Sequence, residues 1–199
     1  LSFADEFEVK IMEKKNYSRL YRLVHWSMAF CLLFMLLTIF LRLFWMNKVH
    51  ISAIIQGFLA DTPVNLSEEE SIVLAKQIRK PMWIWHSYVG YILTGVYVIR
   101  LIVPLFGEMK FPNPFVKRTS FQEKFQTWVY FVFYCCLGVS LLTGLFIAFG
   151  PESLEEVMET IHVLSIYYLI AFIVLHFGGV LLAEFTKGKG IISRIISGS

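Results

Sequence analysis

Apolar residues gather in four long runs, at about 20–46, 82–106, 121–149 and 158–184, and most charged residues fall between them. Each run exceeds the ~20 residues, rising ~1.5 Å apiece along a helix, that cross the hydrocarbon core of a bilayer. Backbone groups in lipid must satisfy one another, so helices are the expected form. The alternating polarity of a barrel strand is absent. Pro104 falls near the end of the second run, where a helix can stop. The pattern predicts an all-α fold, an integral membrane four-helix bundle.

The connection at 47–81 is longer than such a bundle needs. Within it Ser67-Glu68-Glu69-Glu70 reads as a helix start, with an N-cap, a Glu three residues on and acidic residues in the first turn. ESIVLAKQIRK would continue that helix, and VHISAIIQGFLA before it suggests a second, interfacial one. A connection of this length points to docking or a lid, or to a solvated insertion.

Composition strengthens the membrane reading. The chain is 57% hydrophobic and 17% charged, with a mean hydropathy of +0.64. A soluble domain is nearer 45–50% apolar and about 25% charged. A nucleic-acid partner is not expected, and membrane lipid is. Cys31, Cys135 and Cys136 sit in apolar runs and form neither a disulfide framework nor a metal spacing. No C-x-x-C-H occurs, which argues against covalent haem attachment. The opening residues, LSFADEFEVKIMEKKNYS, are charged and do not read as a cleaved signal peptide.

Charge bias gives an orientation. Lys10, Lys14, Lys15, Arg19 and Arg22 flank the start of the first run; Lys110, Lys117, Arg118 and Lys124 lie in the connection into run three and its first residues; Lys187, Lys189 and Arg194 follow the fourth. The connection between runs three and four has Glu152, Glu155, Glu156 and Glu159 without a cation. The positive-inside rule then places both termini in the cytoplasm. The expected organisation is a cytoplasmic tail at 1–19, the transmembrane domain at 20–186 with 47–81 periplasmic, and a cytoplasmic tail at 187–199.

The chemistry lies in four histidines. His162 and His176 are fourteen positions apart, so on one helix they share a face within ~40° and differ in depth by ~21 Å. His25 stands near the cytoplasmic start of run one and His86 near the outer start of run two. Depth therefore pairs His25 with His176 and His86 with His162. Two cross-helix pairs at two depths are what bis-histidine ligation of two haems stacked across the bilayer needs. A cluster site for a transition metal would gather its ligands at one depth with carboxylates or thiolates, and no carboxylate lies at either depth in the middle of a span. His50 has no counterpart and reads as a surface residue. Arg100 follows His86 by fourteen positions and is either a counter-ion for the inner haem's propionates or a snorkelling cation. Arg22 and Arg19 are further inner candidates, Arg79 and Lys80 outer ones. Glycines 90, 95, 138, 144, 178 and 179 permit close approach of a macrocycle or simply of helices. Trp83, Trp85 and Tyr88 line an outer pocket or form an interfacial belt.

R-L-V-H-W opening run one, H-x3-G followed by Arg100 in run two, and H-x13-H in run four resemble the prokaryotic cytochrome b561 family. The tail KGKGIISRIISG and the long outer connection are similar to the b-type cytochrome subunits of nickel–iron hydrogenases within it. The resemblance covers about 17–199. It implies a four-helix protein with two haem b groups, ligated by His25/His176 and His86/His162, that exchanges electrons with quinone or menaquinone. Run three lacks the histidine of some compact members.

The expected role is an electron-transfer subunit of a quinone-linked oxidoreductase in the respiratory chain of the bacterial inner membrane. It would work beside a periplasmic redox protein or hydrogenase-type complex, with no catalytic residue assigned; a homo-oligomer is compatible with it. The alternative is a stand-alone cytochrome b561 that oxidises a small substrate such as superoxide and reduces quinone. The acidic balance of the outer connections works against steering an anion there.

Overall fold

Residues 17–107, 109–115, 121–186 and 190–198 are described by a computed structural model of the chain. Among them the regular structure is entirely helical. The tail at 1–16 and the cations Lys10, Lys14, Lys15, Lys117, Arg118, Lys187 and Lys189 lie outside the described residues.

Each early helix starts on a side chain that satisfies a free amide. Ser18 Oγ accepts the Tyr21 amide at 3.1 Å to open α1, Arg19–Leu43. Asn47 accepts from Val49 at 2.9 Å to open α2, Lys48–Leu59. Helix α3, Glu68–Ile78, begins with the reciprocal capping box of Ser67 and Glu70, at 3.2 and 2.8 Å. The Ser67 backbone and side-chain bonds hold the Glu70 carboxyl below its ordinary pKa. Helix α4, Lys80–Ile102, follows at once, with Pro81 in its first turn where an N–H is not needed. Pro104 stands in a 3-10 turn, Val103–Phe106, closed by Gly107 at φ 90°, a left-handed conformation that a side chain would strain.

Helix α5 runs Phe121–Phe149, α6 Glu152–Val163, α7 Ser165–Thr186 and α8 Ile191–Ile196. Four helical stretches each contain a segment long and apolar enough to cross a membrane: α1, α3–α4 with its closing turn, α5, and α6–α7.

Two boundaries differ from the expected ones. The fourth run is not one uninterrupted helix. Around Leu164 the chain tightens into three-residue hydrogen bonds, Leu164 N to Ile161 O at 3.2 Å and Tyr167 N to Leu164 O at 3.1 Å. Helix α6 also begins at Glu152, inside the expected acidic connection, because Glu152 and Glu155 in its first turn complement the positive end of the helix dipole. The second difference is the end of the chain, expected as a tail. Its described part holds α8, whose start is tied by Glu184 accepting the Gly190 and Ile192 amides at 2.7 and 3.2 Å. The helix returns to α1, where Trp26 Nε1 donates to Ile195 O and Arg22 Nη1 to Ile196 O, both at 3.1 Å.

Helix α1 packs mainly on α4, α5 on α6 and α7, and α2 on α3. The core is a small cluster of Val24, Met28, Leu93, Phe133, Leu137 and Leu169. Leu169 lies midway in sequence between His162 and His176, so this plug separates two layers of polar residues. Phe30, Val174, Leu182 and many other large apolar side chains face outward, as helices in a lipid solvent do.

Candidate functional site

The upper end of the bundle brings His86 of α4 against His162 of α6, with ring centres 6.3 Å apart and planes at 84°. The other end brings His25 of α1 against His176 of α7, at 6.2 Å and 46°. All four rings are half-buried. Among the described residues no three His, Cys, Asp or Glu side chains converge, so each layer offers two imidazoles and nothing else to a metal.

That donor set can be tested against an iron held in a flat macrocycle, which needs two axial ligands and no more. Two imidazoles bonded on opposite sides of one metal, at ~2 Å per bond, place their ring centres on the order of 6 Å apart. Both pairs fit. Metal-bound imidazoles commonly anchor their second nitrogen in a hydrogen bond, and three of the four do. His86 Nδ1 lies 2.7 Å from Thr38 Oγ1. His162 Nδ1 donates to Ser140 O at 3.0 Å, with Thr143 Oγ1 at 3.2 Å. His176 Nδ1 lies 3.1 Å from the Tyr130 hydroxyl.

Glycine serves the His86/His162 layer directly. A Cβ at Gly144 would lie 3.1 Å from His162 Cε1, so a larger residue there would press on the imidazole unless the ring shifted by a few tenths of an ångström. Gly138 leaves room for the Tyr97 hydroxyl, which donates to Tyr134 O at 2.9 Å. Gly95, Gly178 and Gly179 meet no atom within 4 Å of an added Cβ.

The cations are distributed unequally. Arg100 is buried, its Nε donating to the Tyr134 hydroxyl at 3.1 Å and its Nη1 to Met109 O at 2.9 Å, with Phe111 3.8 Å from the guanidinium carbon. It holds the turn after α4 in place; Met109 takes the positive φ of 52° that presents its carbonyl. Arg22 is tied to α8 through Nη1, while its Nε is buried with no hydrogen-bond partner. Arg79 is half-buried at the α3–α4 junction, where burial first and the charge of Arg42 second lower its pKa. Arg42 lies over the Trp83 ring at 5.3 Å, and Trp83 meets His86 edge-on at 5.3 Å. Of the three outer aromatics only Trp83 touches this layer; Trp85 and Tyr88 are exposed and pair with each other. His50 is exposed on α2.

Sequence reasoning missed Arg42, Thr38, Thr143 and Tyr130. A visible signal existed for Arg42, an arginine inside an apolar run. The three hydroxyls gave none, because a spaced Thr or Tyr in an apolar helix is ordinary until its facing residue is known.

A search of family models matches residues 16–198 to the one described as prokaryotic cytochrome b561. No curated protein and no solved structure matches the chain.

Proposed function

This chain belongs to the prokaryotic cytochrome b561 family, and so is a b-type membrane cytochrome of electron transfer; we propose that it carries electrons between the quinone pool and a periplasmic redox partner through two haem b groups. The observation that carries the reading is the pair of histidine couples, 6.2 and 6.3 Å between ring centres, at opposite ends of one bundle. In this reading His25 and His176 would hold the haem of the inner site, and His86 and His162 that of the outer. When bound, haem supplies reversible one-electron chemistry at its iron.

The chain's own residues do the rest. The plug of Leu93, Phe133, Leu137 and Leu169 keeps the layers separate. Arg22, with its unpartnered Nε, and Arg100 supply positive charge for the inner propionates. Arg79, next to the Arg42 charge, does so for the outer ones. Such pairing is how buried guanidinium groups are retained in membranes.

The cation distribution of the sequence puts both termini in the cytoplasm of an inner membrane, with α2 and α3 periplasmic. The long 47–81 connection and the KGKGIISRIISG ending favour the hydrogenase-type b subunits over the compact members of the family. Purification from native membrane tests the reading. Two haems per chain, a reducible b-type spectrum and a co-purifying periplasmic oxidoreductase are expected. A preparation with no reducible b-type spectrum would sink it.

A further inference from the structure

We infer that Thr38 fixes the tautomer of His86 and is a positioning residue of the outer site; the inference rests on reading His86 and His162 as axial ligands. Thr38 is 2% exposed. Its hydroxyl proton is donated to Met35 O, three residues back on α1, at 2.7 Å. A threonine hydroxyl has one proton. Toward His86 Nδ1, also at 2.7 Å, the oxygen therefore acts as acceptor, and Nδ1 carries the hydrogen. A neutral imidazole has a single N–H, so His86 Nε2 is left as a lone pair.

The facing residue is set in the same way by a different group. His162 Nδ1 lies 3.0 Å from the Ser140 carbonyl, which can only accept. Thr143 Oγ1 lies 3.0 Å from both Val139 O and Ser140 O and directs its single proton to that pair of carbonyls, so it too faces His162 as an acceptor. Both outer imidazoles are thus held with Nδ1 protonated and Nε2 bare. Neither Nε2 has a hydrogen-bond partner among the described residues. With their ring centres 6.3 Å apart, two imidazoles in this tautomer would each offer a lone pair to one cation, so the outer site is preset for a metal before one arrives.

The inner layer is not preset. The Tyr130 hydroxyl beside His176 has no second acceptor among the described residues and can give or take a proton. His25 has no hydrogen bond there. The two sites therefore differ in the side chains that define their ligands.

A ligand that donates from Nδ1 is more basic at Nε2 and favours the more highly charged metal. Removing the acceptor at Thr38 should raise the reduction potential of the outer centre and loosen its hold. The test uses the full chain, purified with its haem, as Thr38→Val, which keeps the shape without the oxygen, and Thr38→Ser, which keeps the hydroxyl. Redox titration and haem-to-protein ratio are the readouts, the outer wave being the one that disappears in His86→Ala. In Thr38→Val that wave is expected to move up by about a tenfold change in the reduced-to-oxidised ratio, ~59 mV for one electron, or outer haem retention to fall at least about tenfold. The inner wave stays in place, and Thr38→Ser resembles the wild type. An unmoved, fully occupied outer wave in Thr38→Val overturns the inference, as does a Thr38→Ser that loses the haem equally. A wild-type protein without any wave that depends on His86 overturns the axial-ligand reading itself.

Discussion

In three of the four central imidazoles Nδ1 is tied to an oxygen, which leaves Nε2 as the nitrogen available to a metal. The layers are separated by the core plug, so the four residues should behave as two couples. His86→Ala and His162→Ala are each expected to abolish the same low-spin centre and spare the other, and the double variant should add little. His25→Ala and His176→Ala should do the same for the second centre. Reduced-minus-oxidised spectra with haem stoichiometry decide this, and four variants that all kept two low-spin haems would refute the assignment. Gly144→Ala makes a finer case. The added methyl would sit 3.1 Å from the His162 ring, closer than ordinary contact, and that ring is tied to the same helix, one turn away, through Ser140 O. The outer haem should be held more weakly, with a loss of about tenfold in retention, while the inner site is untouched. Haem titration of the depleted protein would show it. The pairing by depth was readable from sequence because helical rise is fixed. The hydroxyls were not, because which side chain faces Nδ1 depends on how the helices rotate about their own axes.

Helix ends show where local sequence suffices. The capping box at Ser67 and Glu70 is written in four consecutive residues, and α3 begins there in the fold. Ser67→Ala should cost about 1 kcal/mol of local stability, read as faster hydrogen exchange in the first turn of α3 with unchanged exchange in α5. The contribution has a pH sign. Glu70 has its carboxyl pKa lowered by the fold, so its cap is in place above the ordinary carboxylate pKa, near ~4.3, and is lost as pH falls through the depressed value. Opening of α3 should therefore rise in acid in the wild type and much less in Glu70→Gln. The spans were legible for a coarser reason, since length and hydropathy alone define them. The interruption at Leu164 and the return of α8 were not. The break at Leu164 carries no Gly or Pro, and the glycine before α8, Gly190, marks a turn without saying where the short helix after it docks. Both depend on tertiary bonds, Ser165 Oγ to Ser140 Oγ at 2.6 Å beside the break and Trp26 Nε1 to Ile195 O at the chain's end.

At the scale of the molecule the bundle has little core of its own. Among the described residues six form the buried apolar cluster, and α1 and α7, which contribute His25 and His176, are not among the closely packed helix pairs. In membranes helices are not driven together by water, so association relies on packing contacts and polar bonds. A cofactor ligated by two helices at each layer would supply much of what the side chains do not, joining α1 to α7 at one end and α4 to α6 at the other. Binding to the folded state alone stabilises it by mass action, ~4 kcal/mol at a thousandfold excess over the dissociation constant. Protein made under haem limitation should therefore insert with the same helix content by circular dichroism but melt at a lower temperature than haem-replete protein in the same detergent. Adding haem to it should restore the higher transition. The two layers should contribute separately, so His86→Ala and His25→Ala each lower the transition part of the way, and His86→Ala combined with His25→Ala lowers it to the haem-free value. Equal melting of the haem-replete and haem-limited forms would mean that the helices hold one another without the cofactor. The packing between α1 and α7 would then have to be tighter than the fold described here.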